Sequence, residues 1–144
     1  MSRSLSKADA IAAHLTTLSA LDGIHIAVNR EEDLLTQVNC AVEKAAGQGA
    51  VIIKWLGGKN PDPKSSSLRM GAKYSISLWT LPALRDGAAP AADDLIEAIA
   101  AHLHGWYDSD PSVPVRRLEV LAMDLVPDAP GYLVHEITAE IARL

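Results

Sequence analysis

His102 and His104, with Asp108 and Asp110 close behind, form the one cluster in this 144-residue chain that could bind a metal ion. A helix turns about 100° per residue, so a His-x-His pair points its rings about 200° apart. Both can ligate one ion only if the helix ends between them, and metal-binding helices favour His-x-x-x-His. The expectation is therefore structural: His102 beside a core stripe, and His104 near a helix end where a cation complements the dipole. Cys40 lies beside Gln37 and Lys44 with no base near it in sequence, which makes it a bystander thiol rather than a nucleophile. As the single cysteine it excludes an internal disulfide and any multi-cysteine metal site. His135 falls on the apolar face of a predicted strand, where a hydrogen-bonded core or interface histidine is expected. Gly57-Gly58-Lys59 follows a strand as a phosphate loop does, but G-x-x-x-x-G-K-[ST] is missing and Pro61 and Pro63 follow. No catalytic residue, metal or cofactor is expected.

The tract Gly57–Leu68, GGKNPDPKSSSL, carries a different kind of chemistry. Gly, Pro, Ser and Asn build no packed element here, so the tract is expected as a long excursion from a sheet. Loops of this length inside a compact domain are usually functional or disordered. Lys59 and Lys64 lie in it, and Arg69 and Lys73 follow, in a chain of formal charge -5. These four cations are expected at a subunit or partner interface. Trp79 is a fifth candidate. It falls on a polar strand face with Lys73, Ser75 and Ser77, where either a covering element or a protein interface would accommodate it. It is expected at or near a subunit contact, with Trp55 and Trp106 mostly buried.

The elements that must position these residues follow from periodicity. Ile11, Leu15 and Leu18 mark a helix over 6–21, and Ile24–Val28 alternates as a short strand. Asn29 and Glu32 offer a capping box for a helix running to about Ala46, with Leu34, Leu35, Val38 and Val42 as its buried stripe. Ala50–Leu56 is apolar on both faces except at Lys54. That suits a strand covered on both sides by its own chain, or on one side by a partner subunit. Lys73–Thr80 alternates, with Tyr74, Ile76 and Leu78 on one face. Asp93 and Asp94 start a helix whose stripe is Leu95, Ile99 and Leu103. Val115–Val126 and Gly131–Leu144 read as two closing strands, with a helix from Thr138 as a competing reading. The resulting fold class is α+β, in the order α-β-α-β-β-α-β-β. The sheet is expected to be mainly antiparallel with helices packed on one side, and residues 1–144 to form a single domain.

An apolar fraction of 49% argues against disorder throughout, and the acidic balance argues against a nucleic-acid footprint over the whole surface. No stretch reaches the length of a transmembrane helix, and Met1–Lys7 lacks the apolar core of a signal peptide, so a cytoplasmic protein is expected. Order, size and segment character together resemble a family. The carrying segments are the strand Val51-Ile-Ile-Lys-Trp55, a long polar loop, the strand Tyr74-Ser-Ile-Ser-Leu-Trp79, the helix Asp94–Trp106 and a C-terminal strand pair. They resemble the tail terminator proteins of long-tailed bacteriophages and prophages, the minor tail protein U type. The resemblance implies a non-enzymatic subunit that forms a hexameric ring on the tail tube, in the virion tail after assembly in the host cytoplasm. It implies the tail tube protein and a head-completion protein as partners, DNA passing through without sequence-specific binding, and no membrane. The alternative is a small α+β enzyme or ligand-binding domain using His102, His104 or His135.

Overall fold

A computed structural model describes residues 7–30, 33–44, 49–59, 64, 71–81, 92–107, 117–126 and 131–141. Among these the elements are α1 (Ala8–Leu15), β1 (His25–Asn29), α2 (Leu34–Lys44), β2 (Ala50–Lys59), β3 (Gly71–Thr80), α3 (Ala92–Leu103), β4 (Leu118–Val126) and β5 (Leu133–Ile141). A 3₁₀ turn at Ser19–Leu21 follows α1, where the sequence suggested one continuous helix. The strands form one mixed sheet in the order β1-β2-β3-β5-β4. β1 runs parallel to β2, and each remaining neighbour pair is antiparallel. The protein is thus α+β, with the elements in the expected order.

The helices do not all pack on one side, which corrects the sequence reading. Val51 and Ile53 of β2 join Tyr74, Ile76, Leu78 and Ile137 in a core with Ile11 and Leu15 of α1 and Leu95, Ile99 and Leu103 of α3. The alternate residues Ala50 and Ile52 face the other way, with Trp79 and Val134, and meet Val38, Ala41 and Val42 of α2. Successive strand residues point to opposite faces, so a strand apolar in both sets needs cover on both. Here its own chain supplies that cover.

Asp33 begins α2. Its carboxylate accepts the Thr36 backbone N–H at 3.0 Å and the Thr36 hydroxyl at 2.8 Å, as an N-cap residue does. Those bonds hold its carboxyl below the ordinary Asp range. Asn29, expected to cap this helix, ends β1 instead and donates from Nδ2 to Gln37 Oε1 at 2.6 Å. Val38, Ala41 and Val42 point down onto the sheet, while Leu34 and Leu35, expected in the stripe, remain exposed.

β2 continues through Gly57, Gly58 and Lys59, which pair with Lys73, Ala72 and Gly71. The sequence placed all three in the loop. A bulge between Trp55 and Gly57 lets the strand continue, with Gly57 at φ 101°, a conformation L side chains rarely adopt. The remainder of the expected excursion lies outside the described residues, apart from Lys64, which is exposed. At the C-terminus, Thr138–Ile141 is strand: Thr138 pairs with both Ser75 and Ala122.

Candidate assembly surface

α2 packs over β1, β2 and β3. The sheet beyond it keeps a polar face of three cross-strand rows. Lys73 of β3 stands opposite Glu140 of β5, which stands opposite Glu119 of β4. Lys54 opposes Ser75, which continues to Thr138 and Ala122. Ser77 opposes Glu136, and Glu136 opposes Asp124. Lys54, Lys73, Glu119 and Asp124 are exposed, and Glu136 and Glu140 are half-buried. Cations therefore stand on the β2–β3 side and carboxylates on the β5–β4 side. Directly opposed like charges on neighbouring strands cost roughly 0.2–1 kcal/mol a pair. Glu140 with Glu119, and Glu136 with Asp124, are two such pairs.

Of the expected interface cations, Lys73 and Lys64 are exposed. Lys59 belongs to β2 by its backbone, its side chain is not described, and Arg69 lies outside the described residues. Lys54, noted in the sequence only as a polar interruption, joins Lys73 on the open face. The signal for it was its parity with Ala50 and Ile52, which puts it on the α2 face, beyond the stretch that α2 covers.

Trp79, for which a covering element or a subunit contact was expected, is covered by α2. It is 9% exposed, packed in the α2 core between Ala50 and Val134. Its Nε1 donates to Ser77 Oγ at 2.8 Å, and Tyr132 meets it edge-on at 5.6 Å between ring centroids. Tyr132 is held in turn by a hydrogen bond from its hydroxyl to Asn39 Oδ1 of α2. Ser77 reads as polar in sequence, but it is buried beside Trp79 and its hydroxyl accepts from the indole, whereas Lys73 farther along the same face is exposed. Trp55 corrects the sequence reading. Expected to be buried, it is 39% exposed at the β2 bulge, at the rim of the face that α1 and α3 cover. Trp106 is half-buried and packs against the main core.

The histidines join elements together. The His14 and His102 rings stack at 4.1 Å with 9° between their planes, and Trp106 stacks on His14 at 4.8 Å. His14 Nε2 donates to the His102 carbonyl at 2.9 Å, and His102 Nε2 to the His14 carbonyl at 3.1 Å. Each ring thus reaches a carbonyl in the other helix's last turn, and the His14 carbonyl also accepts the Thr17 N–H and hydroxyl. His104 Nδ1 accepts the Val120 N–H at 3.1 Å and so ties the end of α3 to β4. His102 and His104 diverge, toward α1 and β4 respectively. His135 sits in the row Leu78–His135–Leu125, and its buried Nδ1 has no hydrogen-bond partner. Among the described residues no group of three or more His, Cys, Asp or Glu is placed to hold a metal ion. Cys40 is an exposed free thiol on α2.

Sequence reasoning placed the outer strand but missed its exposed apolar side chains. β4 exposes Leu121, Met123 and Leu125 at 51%, 47% and 60%. A register shift between Val120 and Ala122 leaves Leu121 as the extra residue of a bulge. The signal was available. The apolar parity of Leu118 and Val120 switches to that of Leu121, Met123 and Leu125, as a one-residue insertion requires.

These features define an α+β protein whose sheet, among the described residues, is covered over much of one face and part of the other. Comparison with known proteins found no matching family model and no matching curated protein.

Proposed function

We propose that this protein is a non-enzymatic structural subunit of a long-tailed phage or prophage, forming a ring that caps the tail tube and joins it to the head. Six copies is the number the family resemblance implies. The partners are further copies of the chain, the tail tube protein and a head-completion protein, with DNA passing through the ring. The observation that carries this reading is the separation of charge across the open sheet face: Lys54 and Lys73 toward one edge, Glu119, Asp124, Glu136 and Glu140 toward the other. A ring built by one repeated contact needs two different patches that fit each other. Opposite charges on the two sides of such a contact set orientation and association rate. An acidic surface also lets a duplex pass, since phosphates are held where Lys and Arg neutralise them.

The enzyme or ligand-binding alternative would take its donors from His102, His104 and His135. The first two are engaged in tying helix ends to neighbouring elements, which favours the structural reading. The test is addition of the purified protein to growing tail tubes. The expected result is occupancy of tube ends and arrest of elongation. Tubes that grow unchanged, with bare ends at saturating protein, would overturn the proposal.

A further inference from the structure

The ring reading leaves open which edges meet. We propose that subunits join head to tail through the sheet itself, the β4 edge of one copy docking on the β1 edge of the next; this rests on the ring reading. β1 and β4 are the two ends of the strand order, and an edge strand offers a row of backbone groups as a template for another chain. The β4 edge is blunted at its start. Leu118 N–H donates to the Trp106 carbonyl at 2.7 Å, Gly105 N–H donates to the Leu118 carbonyl at 2.8 Å, and His104 holds Val120. From Leu121 onward no described strand covers it, and three large apolar side chains stand in solvent.

The β1 edge is the other end of the sheet. An open groove runs beside it, lined by Thr16, Leu21, Asp22, Ile24 and Ile26 among others. The faces agree. Met123 and Leu125 pair with Ile137 and His135, on the side of the sheet covered by α1 and α3. Ile26 pairs with Val51, and Ile24 and Ile26 pack against the same core. In a sheet continued from one copy into the next, Met123 and Leu125 therefore arrive on the side where the groove lies.

Charge selects this pairing over a symmetric one. Two β4 edges brought together would add the Glu119 and Asp124 of one copy to those of the other. Docked on β1 instead, they stand beyond the half of the sheet that carries Lys54 and Lys73. Lys54 is one strand in from the β1 edge, so roughly 10 Å separates it from a docked β4. That is about one screening length at physiological salt. A head-to-tail contact closes into a ring when its rotation permits.

The test uses two variants at exposed positions. One carries Met123→Lys and Leu125→Lys on β4; the other carries Thr16→Arg and Asp22→Arg in the groove. Circular dichroism and thermal unfolding confirm that each folds, with Leu125→Lys and Asp22→Arg alone as milder substitutes. Masses are measured at the concentration where the wild-type chain assembles. Each variant alone is expected to stay monomeric, needing on the order of 100-fold more protein to assemble. Mixed, they are expected to form a one-to-one dimer and no ring, because a single intact junction remains. Assembly of either variant as wild type would overturn the edge assignment and leave the ring reading standing. Dimers of the groove variant alone would show β4 pairing with β4, and a mixture that stays monomeric would show that the two edges are not partners. A wild-type chain monomeric in every condition would remove the ring reading and this pairing with it.

Discussion

Replacing Trp79 by alanine separates a core indole from a docking indole. Trp79 is 9% exposed, and its ring is enclosed by α2, Val134 and Tyr132. Truncating a buried Trp to Ala typically costs about 3–5 kcal/mol, from lost transfer energy plus the cavity left behind. The edge-on contact with Tyr132 and the bond to Ser77 place this site toward the upper end. For a chain of this length each kcal/mol lowers Tm by roughly 2–4 °C, so a drop of roughly 6–20 °C is expected. Trp55→Ala, at a side chain 39% exposed, should cost about 1–2 kcal/mol. Urea unfolding of both variants, at protein concentrations low enough that association adds no stability, gives the comparison. A Trp79→Ala protein as stable as wild type but impaired in assembly would refute the argument and return Trp79 to the interface. A larger loss from Trp55→Ala than from Trp79→Ala would show the assignment of faces to be wrong.

Other expectations follow from the same contacts. Gly49 lies at φ 143° with an added Cβ 2.9 Å from the Trp79 carbonyl oxygen, so Gly49→Ala should destabilise by more than about 1 kcal/mol in denaturant unfolding. His14→Ala removes two ring stacks and a bond to α3, and should cost about 1–3 kcal/mol; a double-mutant cycle with His102→Ala should show the two effects to be non-additive. Burial pushes the Tyr74 phenol above its ordinary value, outweighing the opposite effect of the Lys7 backbone N–H that its oxygen accepts at 2.8 Å. Because the folded-state pKa is the higher one, this contribution is complete below about pH 10 and is lost as pH rises beyond it. Tyr74→Phe should therefore flatten part of the alkaline limb of a stability–pH curve. Charge reversal at Lys64 and Arg69 together should slow assembly without lowering Tm, and raised salt should reproduce part of that effect on wild-type protein.

Strand positions and face parity were legible because alternation is short-ranged: Tyr74, Ile76 and Leu78 share a core as their spacing indicates. The side on which each helix packs was not. It depends on which face of β2 each helix reaches, and β2 is apolar on both. The β2 extension was hidden because glycine reads as a breaker, whereas Gly57 serves a bulge that keeps the ladder running. The choice between cover and contact for Trp79 was not legible because its polar neighbour Ser77 is a hydrogen-bond partner inside the core, which composition cannot distinguish from a wet face. The cations on Lys64 and Lys73 were visible from charge alone. The opposing carboxylates were not, because Glu119 meets Glu140, and Asp124 meets Glu136, only through long-range register.

The most direct test of the central claim is the mass of the assembled protein, measured by sedimentation or native mass spectrometry across a wide concentration range and on purified tail tubes. One closed species is expected, six times the 15.3 kDa subunit, with no larger forms as concentration rises. A strict monomer that neither closes into a ring nor binds tubes, or an open-ended ladder of masses without a preferred size, would contradict it.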